Sequence, residues 1–200
     1  MSGSRSAGPV VLLEGESDRL ALEQAARVLG RPLAGVALDV LGGITNLRSR
    51  LMALAASGAE PVLGLYDTAE ERFVVGALAA AGRMDAPAAG TVFDALAAVG
   101  FHGCARDLED EVIRAAGPEL VLETLAARGE LALFRVFQGQ PAQRVRSVEA
   151  QLHRFAGTAG GRKAHFAADV IAALPADRIP APLRALLDDL ASPPRLGVSQ

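Results

Sequence analysis

The chain has 200 residues, of which 50% are hydrophobic and 22% charged, which suits one sizeable domain with a buried core and excludes intrinsic disorder away from the ends. A formal net charge of −3, from 20 Lys and Arg against 23 Asp and Glu, excludes a broad basic coat for nucleic acid but not a local site. No apolar run approaches the roughly 18 residues that span a bilayer, and the single cysteine, Cys104, has no internal disulfide partner, so a cytoplasmic protein with no membrane partner is expected.

Residues 1–9 are small and polar and read as a loose tail. Val10 to Leu13 is an apolar run followed by Glu14-Gly15 and a helical pattern from Ser17 to Leu29, with Gly30 as its stop. The unit recurs. Val36 to Val40 reads as a strand, Gly42-Gly43 as a turn, and Asn46 as the cap of a helix with Leu47, Leu51 and Leu54 on one face, closed by Gly58. Pro61 to Tyr66 reads as a third strand with Asp67 at its end, and Thr68 to Ala81 as a helix opened by a Thr68/Glu71 capping box. A helix at Phe93 to Val99, a strand at Phe101 to Arg106, then Asp107 and a helix from Leu108 to Ala116 make a fourth unit.

This alternation predicts an α/β fold, a mostly parallel Rossmann-like sheet flanked by helices over residues 10–117, with any site at the carboxyl ends of the strands. Residues 118–191 are expected to be a helical C-terminal extension: Glu119 to Arg128, Gln143 to Arg154, Lys163 to Leu174 and Pro182 to Leu190 are helical in pattern. Leu131 to Phe137 fits either a strand or a buried helix, and residues 192–200, with Pro193-Pro194, read as a second tail.

Glu14, Asp67 and Asp107 hold the same place in three units, each just after a strand. A parallel sheet brings such positions together, and converging carboxylates resist ionisation unless a cation neutralises them, which favours oxygen-ligated Mg²⁺ or Mn²⁺. Asp18 lies one helical turn beyond Glu14, where it can reach the same ion or complement the helix dipole. Glu70 and Glu71 suit a helix start, and Glu16, Asp110 and Glu111 a solvated face. Lys163 is the only lysine in a chain that otherwise uses arginine. Arg144, Arg146, Arg154 and Arg162 form a basic stretch near it, either a phosphate track or an ordinary helix face. Gly42, Gly43 and Asn46 suit a turn and cap, or backbone N–H groups that approach a phosphate. His102, His153 and His165 share no ligand spacing and read as packed or surface residues, and Cys104 as a small buried thiol.

Val11-Leu-Leu-Glu14-Gly15-Glu-Ser-Asp18-Arg-Leu20 and Gly64-Leu-Tyr-Asp67 resemble the TOPRIM domain. With Arg106-Asp107-Leu108-Glu109 and Gly161-Arg162-Lys163, residues 10–190 resemble the TOPRIM nuclease of the OLD (overcoming lysogenization defect) family. The resemblance implies a DNA endonuclease or nickase that hydrolyses phosphodiesters with two Mg²⁺ or Mn²⁺ ions. On it, Glu14, Asp18, Asp67, Asp107 and Glu109 match metal-ligand positions, and Lys163 matches the catalytic lysine beside Glu14 and Asp67; on the phosphate-track reading of the basic stretch, Arg144, Arg146 and Arg162 would contact the DNA. One departure is that the family's Asp-x-Asp reads Asp67-Thr68-Ala69 here. Glu70 is the candidate substitute, and the alternative is a catalytically weakened module that binds DNA or a protein. OLD proteins commonly carry an ATPase domain, but Gly157 to Lys163, GTAGGRK, lacks the last Gly and the Ser/Thr of a P-loop, so an ATPase partner would be a separate protein. The sole tyrosine, Tyr66, falls inside a predicted strand, which argues against topoisomerase-type strand passage.

Overall fold

A computed structural model describes residues 8–85 and 92–192. The two expected tails fall outside the described residues, except for Gly8, Pro9 and Ser192. Strands β1 (Val10–Leu13), β2 (Ala37–Val40), β3 (Val62–Asp67) and β4 (Phe101–Cys104) form one parallel sheet in the order β2-β1-β3-β4. Three of the strands are short apolar runs buried on both faces, as a helix-covered parallel sheet requires.

Side chains alternate between two cores. Val10, Leu12, Val62, Tyr66 and Phe101 pack under α2 (Leu47–Ser57), α3 (Glu71–Ala80) and α4 (Val92–Ala98). Val11, Leu13, Leu63, Leu65 and Cys104 face the other way, onto α1 (Glu16–Val28). That second core also takes in α5 (Leu108–Ala127), α6 (Leu131–Gln138), α8 (Val148–Ala156), α9 (Gly160–Ala173) and α10 (Ala181–Ala191). The short α7 (Pro141–Arg144) links α6 to α8. The C-terminal helices are therefore one layer of the sheet's own sandwich. Among the described residues no helix is long and apolar enough to cross a membrane.

Two glycines let the sheet pack tightly. Gly64 pairs with Phe101 and Tyr66 with Gly103 across β3 and β4, so each aromatic ring lies over the glycine opposite. A Cβ on Gly64 would stand 2.5 Å from Phe101 Cε1, and one on Gly103 would stand 2.8 Å from Tyr66 Cζ. On the α1 face, Ala21, Ala25 and Ala26 offer a low surface against which α9 packs with Phe166, Ala167, Val170 and Ile171.

Leu131 to Phe137, which fitted either a strand or a buried helix, is a helix, with Phe134 buried and Leu133 and Val136 exposed. Several other local expectations are corrected. The expected helix from Gln143 to Arg154 is broken in two, because the Ser147 hydroxyl accepts the Ala150 N–H at 3.3 Å and starts α8 afresh. The Thr68/Glu71 capping box does not form. Thr68 to Glu70 is a 3-10 turn, and the Thr68 hydroxyl donates instead to the Cys104 carbonyl at 2.5 Å, tying the end of β3 to the end of β4. Asn46 does not cap α2, since its amide donates back to the Leu41 carbonyl at 2.9 Å. The expected Leu108 to Ala116 and Glu119 to Arg128 helices join as α5 across a kink at Gly117, whose φ of 74° only glycine adopts cheaply. Pro118, lacking an N–H, starts the second limb.

Candidate functional site

The carboxyl ends of β1, β3 and β4 open into a cleft of about 310 Å³ lined by Glu14, Asp18, Asp67, Glu109 and Lys163, with Gly15, Glu16, Ser17, Leu108, Gly160 and Ala164 completing its wall. Register explains the convergence. Leu12 pairs with Gly64, so Glu14 stands level with Tyr66, one residue short of Asp67 on the neighbouring strand, and Asp67 pairs with Cys104. Glu14 is held from the far side by its own carbonyl, which accepts the N–H groups of Gly42 at 3.0 Å and Gly43 at 3.2 Å. Of the two readings of Gly42-Gly43, a turn or a phosphate approach, the structure shows the turn, with both N–H groups spent on Glu14. The Gly42-Gly43 pair is a positioning element, for which the only sequence signal was two glycines directly after a strand.

Three helices present their N-termini to this cleft. Asp18, in the first turn of α1, accepts the Gly15 N–H on Oδ2 at 2.9 Å. Glu109 sits in the first turn of α5, and Lys163 in the first turn of α9. The positive ends of the helix dipoles offset part of the carboxylate charge. Lys163 is placed against that field: α9 has no acidic residue in its first turn but carries Arg162 and Lys163 there. A cation at a helix N-terminus is unfavourable by a few tenths of a kcal/mol to about 1 kcal/mol. Lys163 is exposed, and among the described residues it forms no ion pair within 4.0 Å.

The carboxyls resist ionisation. Burial, with the charges of Asp18, Asp107, Glu14 and Glu70, pushes Asp67 up to about 8. Burial likewise raises Asp18 to about 6, with Glu109 and Glu14 adding to the shift and the Gly15 N–H and Lys163 opposing it. Glu70, beside Glu14, rises to about 7 for the same reasons, and Glu109 rises through burial and Asp107, against the pull of Lys163 and His153. Among the described residues, Glu70 Oε2 and Glu109 Oε1 are buried with no hydrogen-bond partner. Among the described residues no three Asp, Glu, His or Cys side chains stand close enough to close on one ion. Mutual repulsion of like charges favours that spacing.

Other expected site residues are placed differently. Asp107 does not line the cleft. Its carboxylate caps α5 by accepting the Asp110 N–H at 2.8 Å, and both of its oxygens accept from His153 Nε2, at 2.9 and 2.7 Å. Arg162 is engaged within the fold: its Nε donates to both oxygens of Glu130 at 3.1 Å, and its guanidinium lies 3.9 Å from the Phe155 ring centroid. Its side chain is only 9% exposed. Arg144 and Arg146 are exposed, bonded to the Gly139 and Ala142 carbonyls, and do not line the cleft. His102, read as a packed or surface residue, is buried and paired with Asp189 at 2.7 Å, and Cys104 is a buried thiol whose ionisation burial opposes.

No protein-family model matches the chain, and no curated protein does. Solved structures do. The C-terminal region of the Xanthomonas campestris pv. campestris OLD protein matches in one structure at TM-score 0.66 and 24% identity, over 93% of this chain and 95% of that one. In another structure of the same region the TM-score is 0.63 and the identity 26%, over 93% and 94% of the two chains. The C-terminal region of the Burkholderia pseudomallei OLD protein matches at TM-score 0.66 and 18% identity, over 93% of this chain and 97% of that one, a likeness of fold alone. The chain therefore has the architecture of the C-terminal region of OLD proteins over 93% of its length, as the resemblance in its motifs implied.

Proposed function

We propose that the chain is a divalent-metal-dependent DNA nuclease of the OLD type. The observation that carries this reading is the meeting of Glu14, Asp18, Asp67 and Glu109 with the lone lysine, Lys163, in one cleft at the carboxyl ends of the strands. The donor set suits Mg²⁺ or Mn²⁺: every candidate ligand is a carboxylate oxygen, and Glu109 Oε1 and Glu70 Oε2 are buried acceptors with nothing to accept from. Glu14, Asp18, Asp67 and Glu109 would hold the cations. Bound divalent cations supply activation of water and neutralisation of charge in phosphodiester hydrolysis. Lys163 would set its ammonium against a non-bridging phosphate oxygen as charge develops there, a role a compact, flexible cation suits. Arg144 and Arg146, both exposed, are left to contact the DNA backbone further out.

A second reading has its own support. Ala69 stands where the family has an aspartate, and the Thr68 hydroxyl is committed to the Cys104 carbonyl, so the β3 end offers one carboxylate instead of two. That favours a weakened module that binds DNA or a partner protein. Nicking of supercoiled plasmid by the purified chain separates the readings. Cleavage that needs Mg²⁺ or Mn²⁺ and stops in EDTA is the expected result. No cleavage with either metal, while DNA is still retained, would favour the binding module, and cleavage undiminished in excess chelator would refute the metal-dependent mechanism.

A further inference from the structure

Asp107 and Glu109 are two residues apart, yet the fold uses them in opposite ways. Asp107 is fully engaged, with the Asp110 N–H on one side and His153 Nε2 on the other, at 2.7 Å from its Oδ2. Glu109 lines the cleft with its Oε1 unpartnered, so its position is set by the backbone of α5's first turn. That turn is fastened at two points. Glu111 Oε1 accepts the Ala105 N–H at 2.9 Å, which ties the helix to the β4 loop, and His153 grips Asp107 from α8.

The mount for His153 is rigid. Leu152, Phe155 and Ala156 of α8 are buried in the core shared with α5. The Gln151 amide donates to the Gln143 carbonyl at 2.8 Å and accepts from Gln138 Nε2 at 2.6 Å, locking α8 to α6 and α7.

We propose that His153 is a positioning residue of the cleft: through Asp107 it fixes the first turn of α5, and with it the height at which the Glu109 carboxylate meets a cation. The inference rests on the metal-dependent reading of the cleft. It also recasts Asp107, which matches a ligand position by sequence, as a residue that holds a ligand in place. Such outer partners of metal ligands commonly contribute 10- to 100-fold to metal affinity.

A purely electrostatic role for His153 predicts the opposite sign. Removing a cationic or dipolar partner from Asp107 leaves the neighbourhood of the cleft more negative, which alone would tighten binding of a cation. Loss of position weakens it.

The test is Mn²⁺ binding by the full chain, read from the electron paramagnetic resonance signal of the free ion, for wild type, His153→Leu, His153→Gln and Glu109→Gln. Leu removes the donor, and Gln keeps an N–H that can reach Asp107. His153→Leu should bind Mn²⁺ about tenfold more weakly and His153→Gln within about threefold of wild type. Amide exchange should quicken at residues 108–111 in His153→Leu while α9 stays protected. Mn²⁺ binding in His153→Leu as tight as wild type or tighter, or unchanged exchange at residues 108–111, would overturn the positioning role. A wild type that binds no Mn²⁺, or binds it no better than Glu109→Gln, would overturn instead the metal reading on which the inference stands, and the exchange measurement still decides whether His153 holds the turn.

Discussion

Asp67→Asn isolates the charge that makes the cleft costly without a cation. The Asp67 carboxyl is pushed up to about 8 by burial and by four neighbouring carboxylates, against about 3.9 in an unfolded chain. The native state therefore binds this proton more tightly than the unfolded state does. The associated stability is fully present below about pH 4 and is lost as pH rises toward 8. At about 1.4 kcal/mol per pH unit, the interval from pH 5.5 to 8 is worth at most about 3.4 kcal/mol in a sealed site. The side chain is partly open to solvent, and screening reduces this to about 1–2 kcal/mol. With a urea m-value of about 2 kcal/mol/M, the midpoint in EDTA should fall by about 0.5–1 M between pH 5.5 and 8.5. Asp18 and Glu70, raised to about 6 and 7, add to the fall in its lower half. Asn has the same shape and no charge, so the variant should lose most of this dependence and be the more stable protein at pH 8.5. Saturating Mg²⁺ should raise the wild-type midpoint, since a ligand at 100 times its Kd adds about 2.7 kcal/mol, and should raise that of the variant much less. Parallel pH profiles for the two proteins in EDTA would refute the argument.

The remaining predictions address the lysine, the buried arginine and the sheet. Lys163→Ala should keep Mn²⁺ binding but slow single-turnover cleavage by more than tenfold, about 1.4 kcal/mol, with Lys163→Arg recovering part of the loss; a smaller effect would return Lys163 to the solvated surface. Arg162→Leu should cost about 1–3 kcal/mol in urea unfolding by leaving Glu130 without its partner, and DNA affinity, measured by fluorescence anisotropy, should not change. Gly64→Ala should cost about 1–3 kcal/mol by forcing a Cβ into the Phe101 ring, and Phe101→Leu in the same chain should recover part of it, as paired melting curves would show.

Most of the scaffold around the cleft was legible because it is written in local signals. An apolar run that stops at an acid marks Glu14 and Asp67, and the spacing of Leu47, Leu51 and Leu54 gives the buried stripe of α2. What local signals suggest can still lose to a partner from another strand. Thr68 and Glu71 carry the capping-box spacing, but the Cys104 carbonyl on β4 takes the Thr68 hydroxyl, so the motif is present and the box is not. The same competition redirects Gly42 and Gly43, whose N–H groups find the Glu14 carbonyl before any ligand.

The least legible features are those in which a charge is consumed by one distant partner. Arg162 lies next to Lys163 in sequence, and on a helix neighbouring residues point about 100° apart. In the first turn of α9 that angle separates a guanidinium buried against Glu130 and Phe155 from an ammonium at the cleft. His153 and Asp107 are 46 residues apart, and nothing in either local sequence announces the pair. Spacing alone therefore groups Asp107 and Arg162 with the cleft residues, whereas the fold engages both side chains elsewhere. In both cases the surplus charge is closed off by a partner contributed from residues 118–191, the part of the chain where strand periodicity gives no guide. The metal reading thus leans on the residues that, among the described ones, are left unpaired: Glu109, whose buried Oε1 has no donor, and Lys163, exposed at the positive end of α9 beside the carboxylates of the cleft.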